Sequence, residues 1–282
     1  KAFKEKGMKK VKVLSYLVLM SCCLSLKVYA QLDINKLPLF KMENLEFEGA
    51  FRVPANPGGS SSMNFSTGSI AVDPERNSVF MIGHTYQQEL IEFKMPALVK
   101  SKETKDLNMA AEPIQSFTKV LDRPAGGVAA GINTIDGMAV INNQIIIHTF
   151  GYYDAGADNK VSTVVFKDKT KIASSKVEGY FHFAEAPPGH HTGWISPIPT
   201  EWQGLLGGDY ITGNSSGWPI ISRLSVGPSA FAFSSKDILK KQDINTPIPT
   251  NTLLNYSLAN VIPGAKDLSN ADKSNKIWTH LT

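Results

Sequence analysis

Three segments of this chain repeat one pattern of short apolar runs and turn residues. The first reads Ser69-Ile-Ala-Val-Asp73, a turn at Pro74-Glu-Arg-Asn77, Ser78-Val-Phe-Met-Ile82 and, after Gly83-His84-Thr85-Tyr86, Glu89-Leu-Ile-Glu-Phe93. The second reads Asp136-Gly-Met-Ala-Val140, Asn142-Asn143, Gln144-Ile-Ile-Ile-His148 and Ser162-Thr-Val-Val-Phe166. The third reads Gly208-Asp-Tyr-Ile-Thr212, a turn over 213–217, Pro219-Ile-Ile-Ser-Arg223 and Ser229-Ala-Phe-Ala-Phe233. Runs of this length and composition, bounded by Gly, Pro, Asn and Asp, are strands. The closing phenylalanines Phe93, Phe166 and Phe233 are 73 and 67 residues apart. A fourth run, ending in proline, precedes each unit: Leu45–Pro54, Ile114–Pro124, Val177–Pro187 and Leu253–Pro263.

Four short strands repeated in this way predict an all-β fold, a β-propeller-like array of four-stranded blades with a period of about 70 residues. The blades exceed the usual length because of Gly-, Ser- and Ala-rich insertions at 56–67, 125–135 and 189–207. The third insertion carries a capping-box-like pair, Thr200 and Gln203, predicting a helix over Glu201–Leu206. A β-sandwich or β-helix is the alternative, which the long period disfavours. Three units and the start of a fourth do not close a propeller ring, so the domain, residues 43–282, is expected to be incomplete at its C-terminal end.

The first Met is Met8. Lys9, Lys10 and Lys12, the apolar stretch Val13 to Leu26, and Val28-Tyr29-Ala30 have the layout of a signal peptide over 8–30, with residues 1–7 lying upstream of it. The apolar run is too short to span a bilayer, so no transmembrane helix is expected. Leu19-Met20-Ser21-Cys22 approximates a lipobox, which leaves lipid anchoring at Cys22 as the alternative to cleavage after Ala30. Either route predicts a secreted, periplasmic or cell-surface protein.

The signal also accounts for the charge. Of 29 basic and 25 acidic residues, seven and one fall within residues 1–30, leaving 22 basic against 24 acidic. The basic balance belongs to the leader, and no nucleic-acid partner is expected. Lys236, Lys240 and Lys241, the densest remaining basic cluster, read as a solvated helix face. Both cysteines, Cys22 and Cys23, lie in the leader, which excludes thiolate catalysis, Cys zinc sites and disulfides from the domain behind it.

Glu48-Gly-Ala-Phe-Arg-Val-Pro54, the run from Ala71 through Asn77-Ser-Val-Phe80, Gly83-His84, Gln88 and Pro96, then Ile198-Pro-Thr-Glu-Trp202 and Gly227-Pro-Ser-Ala-Phe231 together resemble a family of exported bacterial β-propeller-like proteins. The resemblance runs from about Glu43 onward. It implies export, the fold and further sequence past Thr282, and it transfers no catalytic residues.

His84, at the end of an apolar run, suits a general base or ligand facing a propeller opening. His148 and Arg223 end the corresponding runs of the other units, so the three are expected to converge on one rim. Gln88 follows His84 in the same loop. Tyr152, Tyr153 and Asp154 pair aromatic faces with a carboxylate, as sugar recognition requires, and Trp194 in the third insertion is a further glycan contact. Calcium bound through Asp154, Asp158 and Asn159 lacks the full loop spacing, and no metal or other cofactor is otherwise expected. His190 and His191 are adjacent and so diverge on an extended chain. Asp73, Glu92, Asp136, Asp154, Glu185 and Asp209 are the carboxylates available for acid–base chemistry. The leading expectation is a glycan or similar extracellular ligand bound, and in one version hydrolysed, at one rim. A non-catalytic protein-interaction module and a metal-dependent esterase or lactonase are the alternatives.

Overall fold

The computed structural model describes residues 41–66, 68–152, 159–184, 191–214, 225–240 and 243–257. Two compact units divide it, 1–47 and 48–282. In the first, the described part is a single 3-10 turn, Met42–Asn44, whose Asn44 side chain accepts a hydrogen bond from the Lys41 N–H at 2.9 Å.

The second unit is all-β. Strands β1 (Ile70–Asp73), β2 (Ser78–Ile82), β3 (Leu90–Lys94) and β4 (Gln115–Thr118) form one antiparallel sheet in chain order. A second sheet follows from β5 (Thr134–Ile141), β6 (Gln144–Phe150), β7 (Thr163–Phe166) and β8 (Val177–Phe181). After β9 (Trp194–Pro197) and helix α1 (Thr200–Leu206), β10 (Tyr210–Asn214), β11 (Ser225–Phe233) and β12 (Thr250–Ser257) form a three-stranded sheet, with α2 (Ser235–Leu239) between β11 and β12.

Local chemistry explains the hairpins. Asn77 and Asn142 take positive φ, +48° and +55°, in the turns that close β1–β2 and β5–β6, a conformation asparagine tolerates better than most residues. The Asp73 carboxylate accepts from the Glu75 N–H at 3.1 Å and shapes the first turn. The repeat then holds in register. Phe93 pairs with Val79, Phe166 with Ile145 and Phe233 with Tyr210, each closing the third strand of its triad. All three rings are buried, and truncating such a ring to alanine costs about 3–5 kcal/mol.

The structure reassigns the proline-ending runs. Gln115–Thr118, Val177–Phe181 and Thr250–Ser257 pair with β3, β7 and β11, so each is the outer strand of the sheet before it rather than the first strand of the next. Backbone pairing joins each run to the strand before it in the chain, a choice that periodicity does not encode. The earliest run forms no strand. Ala50 and Arg52 make isolated bridges to Val99 and Met109, and Phe51 and Val53 pack on the cluster of Val79, Ile91, Phe93 and Phe117.

The third unit is also shifted. Tyr210–Asn214, expected to open it, is preceded by β9, which packs along β10 and is joined to it by the Ile198 N–H donating to the Asp209 carbonyl at 2.9 Å. β1 packs on β5 and β5 on β9, so β9 takes the inner place that β1 and β5 hold. Residues 219–223 lie outside the described residues. Helix α1 forms without the expected capping box: Pro199 is the N-cap, and Gln203 donates instead to the Ile198 carbonyl at 2.8 Å. Its end is set by Gly207 at φ +77°, the left-handed terminus glycine permits.

Two apolar layers lie between the sheets. Phe80, Ile82 and Leu90 meet Ile145, Ile147, Val164 and Phe166. On the other face of the second sheet, Ile146, Val165 and Phe181 meet Phe233, Ile238 and Ile248. Alternate residues of one strand thus feed two different interfaces.

Candidate functional site

Pairing register decides which residues share a level. Counted from the Phe93, Phe166 and Phe233 pairs, His148 stands at the level of Ile82 and Gly213, and His84 at the level of Phe150. The expected equivalence of His84 and His148 is therefore displaced by two residues: His148 lies within β6, four residues after its start, whereas His84 lies six residues after the start of β2, beyond the end of that strand. Arg223, Tyr153, Asp154, Asp158, Glu185 and His190 lie outside the described residues, as do residues 8–30, read as a signal peptide, with Cys22.

His148 is wholly buried. Its Nδ1 lies 2.9 Å from the Thr163 hydroxyl and its Nε2 3.0 Å from that of Thr212. His191 packs edge-on at 5.5 Å between ring centroids, with Phe183 against both rings, and its Nε2 lies 2.7 Å from the Ser162 hydroxyl. Thr212 donates to the carbonyl of His191 or of Trp194. This network joins the second sheet to the third. Burial, and then the neighbouring His191, hold the His148 imidazole well below its ordinary titration range. With both nitrogens occupied and no exposure, His148 stands in the interior rather than on a rim.

Gln88 is buried as well. Its φ is +52°, its amide donates to the Thr85 carbonyl at 2.7 Å, and its Oε1 accepts from the Ile135 N–H at 2.7 Å. The side chain pins the β2–β3 loop to β5. On that loop, His84 Nδ1 accepts from the Tyr86 N–H at 3.1 Å. The His84 ring lies 5.6 Å from Phe65 and 5.1 Å from Tyr86. Phe65 is 81% and Tyr86 87% exposed. Two aromatic faces therefore stand in solvent with a histidine between them. Exposed large rings side by side mark a binding surface more often than scattered ones do.

Tyr152 is partly exposed and its N–H donates to Asn133 Oδ1 at 2.9 Å. Asn159, the described member of the Asp154, Asp158 and Asn159 set, is buried against Gly131 and Gly151. Among the described residues no group of three His, Cys, Asp or Glu side chains is arranged to hold a metal ion. Trp194 lies over Gly213, where any β-carbon would collide with its ring, and is partly buried.

The carboxylates separate into two kinds. Asp73 is buried and paired with Lys169 at 2.9 Å. Glu92, also buried, accepts from Arg76 at 3.0 and 3.3 Å, from Ser78 and from Gln115. Asp209 receives the Ser235 N–H at 2.6 Å and so holds the first turn of α2. All three are fixed by partners.

Asp136 is different. It sits in the β-bulge of β5, where Asp136 and Gly137 fall between the pairs Ile135 with Thr149 and Met138 with Ile147. Two residues oppose one there, which bends the strand and re-aims a side chain. Asp136 is partly buried and makes no hydrogen bond or ion pair among the described residues. Burial alone pushes its carboxyl up to about 7. The preceding residue, Ile135, is the one held by Gln88, and its carbonyl lies 3.4 Å from the Ser69 hydroxyl. The following residue, Gly137, donates its N–H to the Thr192 carbonyl at 2.7 Å. A glycine inside a strand-like run signals a bulge, so Asp136-Gly137 was the sequence mark of this place.

No family model, curated protein or solved structure matches the chain.

Proposed function

We propose that this is an exported β-propeller-type protein that binds a glycan at the rim formed by the β2–β3 loop and the start of β5. The observation that carries the reading is the pair of exposed rings, Phe65 and Tyr86, flanking His84. Aromatic faces pack on the C–H faces of sugars, while neighbouring polar groups take the hydroxyls. Gln88, seated in the interior, holds the loop that presents Tyr86. The propeller geometry is supported by the succession of inner strands β1, β5 and β9, each in contact with the next. A glycan array probed with the full-length protein tests the reading. Binding that falls at least tenfold in Phe65→Ala and Tyr86→Ala, with unchanged thermal stability, is the expected result. Absence of binding across neutral and acidic polysaccharides sinks it.

A second reading, a protein-interaction surface, is favoured by Ile70 and Val72. These β1 side chains are 54% and 47% exposed, whereas their register equivalents Met138 and Val140 in β5 pack into the layer between the first two sheets.

A further inference from the structure

We propose that Asp136 is the proton donor of a glycoside-cleaving site at this rim, acting on the sugar that the Phe65 and Tyr86 rings hold. The inference rests on the glycan-binding reading and adds a reaction to it. Three independent features of the fold lead to it. Asp136 lies on β5, the inner strand flanked by β1 and β9. It occupies a bulge, a distortion that removes its backbone from the regular ladder. It is left without a partner among the described residues, while Asp73, Glu92 and Asp209 are each held by cations or hydroxyls.

The site is linked to the aromatic rim through one residue. Gln88 accepts from the Ile135 N–H and donates to the Thr85 carbonyl, next to Tyr86. Gln88 therefore ties the loop to the residue that precedes the bulge.

The surrounding charges leave the carboxyl free to hold a proton. Of the elements packed on β5, β6 contributes His148, which is buried and kept neutral. β1 contributes Asp73 at its far end, neutralised by Lys169. β9 contributes no titratable side chain. His84 and Glu89 lie on the β2–β3 loop, Glu89 buried and accepting from the Ser60 hydroxyl. Among the described residues no cation is placed to favour the carboxylate, and burial pushes the group up to about 7. A general acid works best when its pKa lies near the working pH.

In the step, the proton passes from the Asp136 carboxyl to the glycosidic oxygen as the C1–O bond breaks, and the bonding pair leaves with that oxygen as an alcohol. Water adds to C1 and releases a proton to solvent, from which Asp136 is recharged. One water is consumed per bond cleaved.

The experiment combines array-positive glycans with a reducing-end assay on the full-length protein and on Asp136→Asn. Wild type is expected to cleave at least one bound glycan, with kcat/KM falling above about pH 7. Asp136→Asn is expected to lose about 100-fold or more of that rate, to keep its binding, and to lose the alkaline limb. Carbon-13 titration of the Asp carboxyls reads the group without turnover, and a signal near 7 that vanishes in Asp136→Asn is expected. Binding without cleavage, or cleavage that survives Asp136→Asn with the same pH profile, overturns this proposal and leaves the binding reading standing. A carboxyl signal titrating below 5 overturns it as well. Loss of all glycan binding in wild type overturns both.

Discussion

A buried histidine and a partly buried aspartate give this protein opposing responses to acid, and replacing one exposes the other. Asp136 titrates at about 7 in the fold against 3.8 when free. Its folded form prefers the proton, so its stabilising contribution is complete below the free value and is lost as pH rises through about 7. His148 is held well below its free value of 6.5. Its folded form rejects the proton, so its contribution is complete above 6.5 and is lost as pH falls below it. Between pH 8 and pH 5, the one proton that the free imidazole takes up and the folded one resists acts over at most about 1.5 pH units, or up to about 2 kcal/mol of lost stability. Over the same interval Asp136 regains up to about 2.6 kcal/mol, reduced to about 2 kcal/mol for its partial exposure. The two nearly cancel. Glu178 and Asp168, whose carboxyls are held low, add their losses mostly below pH 5. Urea unfolding of wild type from pH 8 to 5 is therefore expected to be almost flat. Asp136→Asn is expected to fall by about 2 kcal/mol over that range, and His148→Gln to rise by a similar amount, whatever its stability at pH 8. Parallel curves for wild type and Asp136→Asn would refute the reasoning, because they would mean that the Asp136 carboxyl does not titrate between those limits.

The ion pairs that join neighbouring sheets carry a further test. Lys169→Ala strands Asp73 in the interior and is expected to cost about 3–5 kcal/mol, read by urea midpoint. Lys169→Ala combined with Asp73→Asn should recover part of that loss. Gly213→Ala would set a β-carbon 2.0 Å from the Ser229 carbonyl oxygen, and a loss of at least about 2 kcal/mol is expected in thermal melts. Gln88→Ala leaves the Ile135 N–H without its acceptor and frees the β2–β3 loop. Faster amide exchange at Ile135 and Tyr86 checks it.

Much of the architecture was legible because it is local. Strand identity follows from two-residue alternation and turn chemistry, both written within a few positions, and the Phe93, Phe166 and Phe233 repeat carries through intact into the pairing register. The assignments that failed concerned partners. The run at Gln115–Thr118 has the same character whether it pairs backward or forward, and only the position of β3 beside it settles the matter. His84 and His148 look alike in sequence because each follows an apolar run. A difference of two residues in position along the strand places one past the end of β2, beside exposed rings, and the other within β6, between two sheets.

The chain alone determined that the described domain is all-β, that its units repeat with a period near seventy residues, and where most hairpins turn. Backbone conformation and side-chain alternation are short-range properties. Burial decided the rest. Asp73, Glu92, Asp136 and Asp209 are equivalent carboxylates in the sequence, and their surroundings make three of them structural and leave Asp136 protonatable at neutral pH. The free energy of a charge depends on the solvent and partners that the fold removes or supplies, and those come from strands tens of residues away.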